Sequence, residues 1–246
     1  MSKVLGFLKP LLYILAYFVF AGVFYYILPD SVDKYGRNVV MAFSLNSIVI
    51  VSYLGFYRSK RLRSSYAFSF NKSAVIMILF VVTFLIWILS QTTASYLYQV
   101  FGDGSFDALS KQNSSADATL LVIQTLILAP IAEEMLCRGL LYKEWRRSFG
   151  MVFSGVLSSL VFAIMHGTLV HLPGAFLMGL ICVLSYEYTK KIKYPIGVHI
   201  LYNSLSIFLA GISLPERMFM TSWIVFWNSL AVGLLIKALH VLSKDY

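Results

Sequence analysis

Charge is what this chain has least of. Of its 246 residues only 13% are Asp, Glu, Lys or Arg, while 59% are hydrophobic and 16% aromatic. A water-soluble domain cannot hide that much apolar surface, so a soluble fold is excluded and a polytopic membrane protein is indicated. Cysteine is nearly absent as well. Cys137 and Cys182 both lie in apolar segments, which argues against a disulfide framework and marks them as small core residues. No internal repeat or low-complexity tract is visible, and the length suits one helical bundle, a single transmembrane domain over 1–246, not several domains. The first hydrophobic segment is too long for a signal-peptide core and lacks a small-residue cleavage site, so it is expected to stay as an anchor.

What is there in abundance is long apolar runs. The hydropathy pattern predicts an all-α membrane bundle of about eight spans, near 7–28, 39–57, 74–97, 119–141, 153–171, 174–189, 195–212 and 219–240. The second, fifth and sixth are the weakest, because they carry Gly, Ser and Pro. Pro173 and Gly174 mark a tight turn between the fifth and sixth. The few acids leave a net charge of +9, yet nucleic acid is not needed to explain it. With the N-terminus in the cytoplasm, Lys9, the Arg58–Arg63 cluster, Lys143, Arg146, Arg147, Lys190, Lys191 and Lys193 all fall on one side. The opposite side receives mostly acids, Asp30, Asp33, Asp103, Asp107 and Asp117 among them. Both termini are therefore expected to be cytoplasmic, with the basic loops against anionic membrane lipid. The polar segment 101–117 is expected to be a mobile outer loop.

The chain is organised around Glu133-Glu134-x-x-x-Arg138, which places two carboxylates and a guanidinium inside an apolar run. Ionisable groups at that depth cost a few kcal/mol each unless paired or facing a wet cavity, so they are functional candidates. Glu134 and Arg138 are four apart and share a helix face, while Glu133 points about 100° away. Phe162 and His166 form a second pair four apart, and His199 and Asn203 a third. At helical rise, Glu133 lies roughly 15 Å below Lys143 and Asn203 roughly 14 Å below the Lys193 border. His166 reaches a similar roughly 16 Å if its helix enters near Gly155. All can occupy one layer in the cytoplasmic half.

A carboxylate, two imidazoles and an amide from three spans form a set that can hydrolyse a bond. Glu133 can take a proton from water, His166 can orient that water, and His199 and Asn203 can donate to a developing oxyanion. Alternatively Glu133, His166 and His199 can hold a zinc ion, although the His-Glu-x-x-His spacing of helical zinc sites is missing. Taken one at a time, each residue also has a packing role open to it. Two other classes compete: a non-catalytic membrane partner such as a bacteriocin-immunity protein, and a proton-coupled transporter. The transporter lacks its usual inverted halves and broken helices.

The three motifs, in this order and in three apolar segments, resemble the CAAX-protease and bacteriocin-processing (Abi) family of intramembrane proteases. The resemblance covers about 119–212. It implies an endopeptidase in a bacterial plasma membrane whose site opens towards the cytoplasm. Its substrate would be a peptide or a lipidated protein. Glu133 and His166 would then activate water and His199 and Asn203 would bind the oxyanion. Glu134, Arg138 and Phe162 would support them. Members of that family are described both with and without a metal, so no cofactor is assigned and zinc stays the alternative.

Overall fold

The computed structural model describes residues 3–29, 34–57, 72–114 and 118–209, and every element in them is helical. The expected eighth span at 219–240, the end of the seventh, His240 and the Arg58–Arg63 cluster lie outside these residues. The first helix, α1 (Lys3–Ile27), is followed by α2 (Lys34–Ser52) and α3 (Lys72–Phe101). After α4 (Gly104–Ser114) comes the long α5 (Thr119–Ser148), then α6 (Met151–Met165), α7 (Leu172–Thr189) and α8 (Lys193–Leu209). Five of these, α1, α2, α3, α5 and α7, are long and apolar enough to cross a membrane. The chain is an all-α, multi-pass membrane bundle.

Polar contacts show which helix ends lie together. Trp145 donates from Nε1 to the Phe7 carbonyl at 3.1 Å, and Lys9 pairs with Glu144 at 3.1 Å. Nearby, Glu187 accepts Tyr142 at 2.6 Å and pairs with Lys190 at 2.8 Å and Arg146 at 3.3 Å. One end of the bundle thus gathers the start of α1, the end of α5 and the α7–α8 turn, with their basic residues. At the far end Arg37 reaches back from α2 to the carbonyls of Tyr25, Leu28 and Pro29, taking up acceptors that the end of α1 leaves unpaired.

Three expectations are revised. The span predicted to end at 141 continues to Ser148, so Lys143 and Glu144 are buried rather than marking a border. The span predicted over 153–171 is a 15-residue helix from Met151, and His166 caps its end. By helical rise His166 is about 22 Å from that start, deeper than the roughly 16 Å expected. The polar 101–117 segment is helical over Gly104–Ser114. Asp103 is the reason: its Oδ1 accepts the Ser105 and Phe106 amides at 3.0 and 3.1 Å, as an N-cap does.

The small residues of α6 and α7 are what bring these two helices into close contact. A Cβ on Gly179 would fall 2.9 Å from Ser159 Cβ and 3.1 Å from its Cα. A Cβ on Gly155 would meet Val183 at 3.0 Å. Membrane helices lack a hydrophobic drive to associate, so such close backbone approach supplies the packing.

Candidate active site

α5 is the helix on which the site is built, and it is irregular at two places. Over Gln124–Leu128 and Met135–Tyr142 it widens into π-helical turns, in which the hydrogen-bond step lengthens from four residues to five. The Ala129 amide therefore bonds to Gln124. The same step from Thr125 lands on Pro130, which has no N–H to give. Asn203 fills the gap from α8, donating from Nδ2 to the Thr125 carbonyl at 2.9 Å. In the second π segment Ser158 of α6 donates to the Cys137 carbonyl at 3.0 Å. Both widened turns are thus stitched to neighbouring helices through their backbones.

Between the two turns lie the paired glutamates. Glu134 is fully buried and bonds Arg138 Nη1 at 2.9 Å. The other face of the guanidinium is equally occupied. Nη2 donates to the Gly179 carbonyl at 2.8 Å, and the group lies 4.8 Å over the Phe162 ring. A second bond on Glu134 comes from His199, whose Nδ1 stands 3.0 Å from the same Oε1. A carboxylate only accepts, so Nδ1 carries the hydrogen. Nε2 then faces Glu133, 3.8 Å from its Oε2. Glu133 is the more open of the acids, with 27% of its side chain exposed.

Phe162 holds both histidines edge-on, at 4.6 Å for His166 and 5.5 Å for His199 between ring centres. His166 gives Nδ1 to the Phe162 carbonyl at 2.9 Å, which leaves its Nε2 free. Glu133, His166, His199 and Asn203 line one cavity of about 1010 Å³. The three sequence motifs therefore meet, as their spacing requires. The zinc alternative needs Glu133, His166 and His199 to converge on one point. Among the described residues no three His, Cys, Asp or Glu side chains do so.

Sequence reasoning missed three contributors. Pro130 is legible as the proline inside the apolar run, and its orphaned acceptor explains what Asn203 bonds. Gly179 offers its carbonyl to Arg138 and has no sequence signal beyond being small. His171, outside the three motifs, also lines the cavity. Its Nδ1 lies 2.8 Å from Thr168 Oγ1 and its ring packs on Phe106. Burial lowers its proton affinity below the ordinary histidine value, and nearby His166 adds to this.

A membrane bundle with paired glutamates, an arginine and two histidines around one cavity is a class with known relatives. Residues 115–205 match the family described as Rce1-like, type II CAAX prenyl endopeptidases. That segment holds all three motifs, and through it the chain is similar to this CAAX-protease and bacteriocin-processing family. It is similar to YdiL of Bacillus subtilis (strain 168), whose name describes a membrane peptidase. The two are 30% identical over 135 residues, covering 51% of this chain and 53% of the relative. It is also similar to the membrane-embedded CAAX protease MroQ of Staphylococcus aureus (strain USA300), 31% identical over 87 residues, 33% of this chain and 35% of that one. The chain thus matches about half of one relative and a third of the other. No solved structure matches it.

Proposed function

We propose that the chain is an intramembrane endopeptidase that hydrolyses peptide bonds in membrane-associated peptides or proteins. The observation that carries this reading is the seat of His199. It stands between Glu134 and Glu133 at 3.0 and 3.8 Å, in a cavity that it shares with His166 and Asn203. A packing role for these groups would fill that space instead of facing it.

In this mechanism Glu133 takes a proton from a water held between it and Nε2 of His166. The hydroxide attacks the carbonyl carbon of the scissile bond. One hydrogen of the Asn203 amide is engaged by Thr125, which fixes the group and leaves the second for the oxyanion. His199 already gives its Nδ1 hydrogen to Glu134, so it donates from Nε2 only as an imidazolium. That form also balances the buried cluster, two carboxylates against Arg138 and His199. When the C–N bond breaks, Glu133 returns the proton to the leaving amine, and the carboxylate is restored. Removing one such oxyanion donor typically costs about 10²–10³-fold in rate.

Mass spectrometry of membrane and secreted peptides, from cells carrying wild type or Glu133→Gln at matched protein levels, tests the reading. A precursor that accumulates only with the variant is expected. Identical peptide profiles would leave the partner-binding or immunity reading in its place.

A further inference from the structure

The described residues that line the cavity lie mostly in the parts of their helices remote from the basic end. On α5 they run from Gln124 to Glu133 and stop, while Lys143, Arg146 and Arg147 lie beyond. On α7 they run from Gly174 to Met178, far from Lys190, and on α8 from His199 to Leu209, away from Lys193. Glu133 and His199 thus form the inner limit. Among the described lining residues, Tyr98, Phe106 and His171 lie at the other end, beside the Asp103 cap. This end is held in place. Asp103 Oδ2 accepts the Val170 amide at 3.0 Å, and Tyr98 bonds Asp107 at 2.7 Å.

The basic residues give this geometry a direction. Lysine and arginine are retained on the cytoplasmic side of short loops. Lys9, Arg146 and Lys190 are tied into one charged layer by Glu144 and Glu187 beyond the Glu133 end of the cavity. We infer that the site is reached from the extracytoplasmic face, and that the substrate is a peptide segment presented there. This rests on the protease reading and deepens it by naming the side and class of substrate.

The walls add to the description. Among the described residues that line the cavity, Glu133 is the only Asp, Glu, Lys or Arg, and Phe84, Trp87 and Ile88 supply an apolar wall. A strongly charged segment would lose its hydration there without compensation. From Gln124 to Glu133 is about 13 Å at helical rise, so an extended peptide at ~3.4 Å per residue needs about four residues between the level of Gln124 and the scissile bond. The expected substrate is therefore an exported or outward-facing peptide with an uncharged, apolar stretch of that length. A lipidated cysteine at the cytoplasmic surface does not fit this route.

Access can be read without a substrate. The native Cys137 and Cys182 are fully buried, so wild type serves as an unlabelled control. Ser95→Cys and Gln91→Cys sit on the α3 wall, apart from the catalytic set, and two positions guard against one variant failing to fold. Lys191→Cys, in the exposed α7–α8 turn, marks the opposite face. A membrane-impermeant maleimide is applied to intact cells and, separately, to inverted membrane vesicles. The expected result is labelling of the two wall positions in cells and its loss in inverted vesicles, with the order reversed for Lys191→Cys. Wall labelling confined to inverted vesicles overturns the inference, as does labelling of wall and turn from the same side, or of neither wall position from either. Repeating the assay with Glu133→Gln separates this inference from the protease reading. Labelling is expected to be unchanged whether or not Glu133 hydrolyses anything.

Discussion

Nδ1 of His199 stands 3.0 Å from Oε1 of Glu134, the same oxygen that Arg138 engages. The second glutamate is therefore more than a counterion, because it also sets which histidine nitrogen faces the cavity. Glu134→Ala leaves Arg138 as a buried, unpaired cation, a loss of about 3–5 kcal/mol for pairs of this kind. A lower thermal midpoint and lower membrane yield are expected. Glu134→Leu with Arg138→Met replaces the ion pair by apolar groups and is expected to recover most of that stability. Hydrolysis stays lost, because His199 has no acceptor for Nδ1. Wild-type cleavage by the double variant would show that His199 does not depend on Glu134.

Asn203 serves the backbone and the cavity at once, and the two roles separate through Pro130. Asn203→Ala frees the Thr125 carbonyl, a part-buried acceptor whose loss of a partner costs at most about 1–3 kcal/mol. It also removes an oxyanion donor, for a further about 10²–10³-fold in kcat. Adding Pro130→Ala supplies an N–H five residues on from Thr125. Stability is then expected to return while kcat remains low. Thermal midpoints and rates of the four proteins check both halves, and a rate that recovers with stability would reduce Asn203 to packing.

Gly179 is where α6, α7 and the arginine meet. A Cβ there falls against backbone and Cβ of Ser159, and the shift needed would also carry away the carbonyl that Arg138 uses. Gly179→Ala is expected to destabilise by about 1–3 kcal/mol, the usual range for overpacking. Gly150, with nothing within 4 Å of its Cβ position, provides the contrasting substitution. Equal effects at both sites would contradict the close-packing account.

Asp103 gives a prediction in pH. The Val170 amide, helped by those of Phe106 and Ser105, holds its carboxyl below the usual carboxylate range. A depressed carboxylate contributes above its unfolded value and loses that contribution as pH falls through the folded one. Protection of the Val170 amide from hydrogen exchange is therefore expected to be flat from neutral pH down to about 5 and to fall only below the ordinary range near 3.9. In Asp103→Asn the acid-dependent step disappears.

How much of this was legible depended on what each residue says without its neighbours. Glu133, Glu134 and Arg138 stand out because charge inside an apolar run has few bland explanations, and their separation by four residues already implied the pair. Phe162 with His166 and His199 with Asn203 were found the same way. Two of the three weakest predicted spans, the fifth and sixth, correspond to closely packed helices. Glycine and serine lower hydropathy, but they also let α6 and α7 approach, and only the second effect matters once a partner is present. The helical stretch after Asp103 was read as a loop because polarity was weighed above the N-cap. Which part of each helix lines the cavity was not legible at all, since it depends on which half of each helix faces the others, and depth along one helix does not report that.

The most direct test of the central claim is hydrolysis by the purified full chain in lipid nanodiscs. The probe is a mixture of apolar decapeptides followed by mass spectrometry, with wild type beside Glu133→Gln and His199→Gln at equal folded amounts. The account predicts new peptide termini with wild type, and none above background with either variant although both remain folded. Cleavage by Glu133→Gln at the wild-type rate would contradict it.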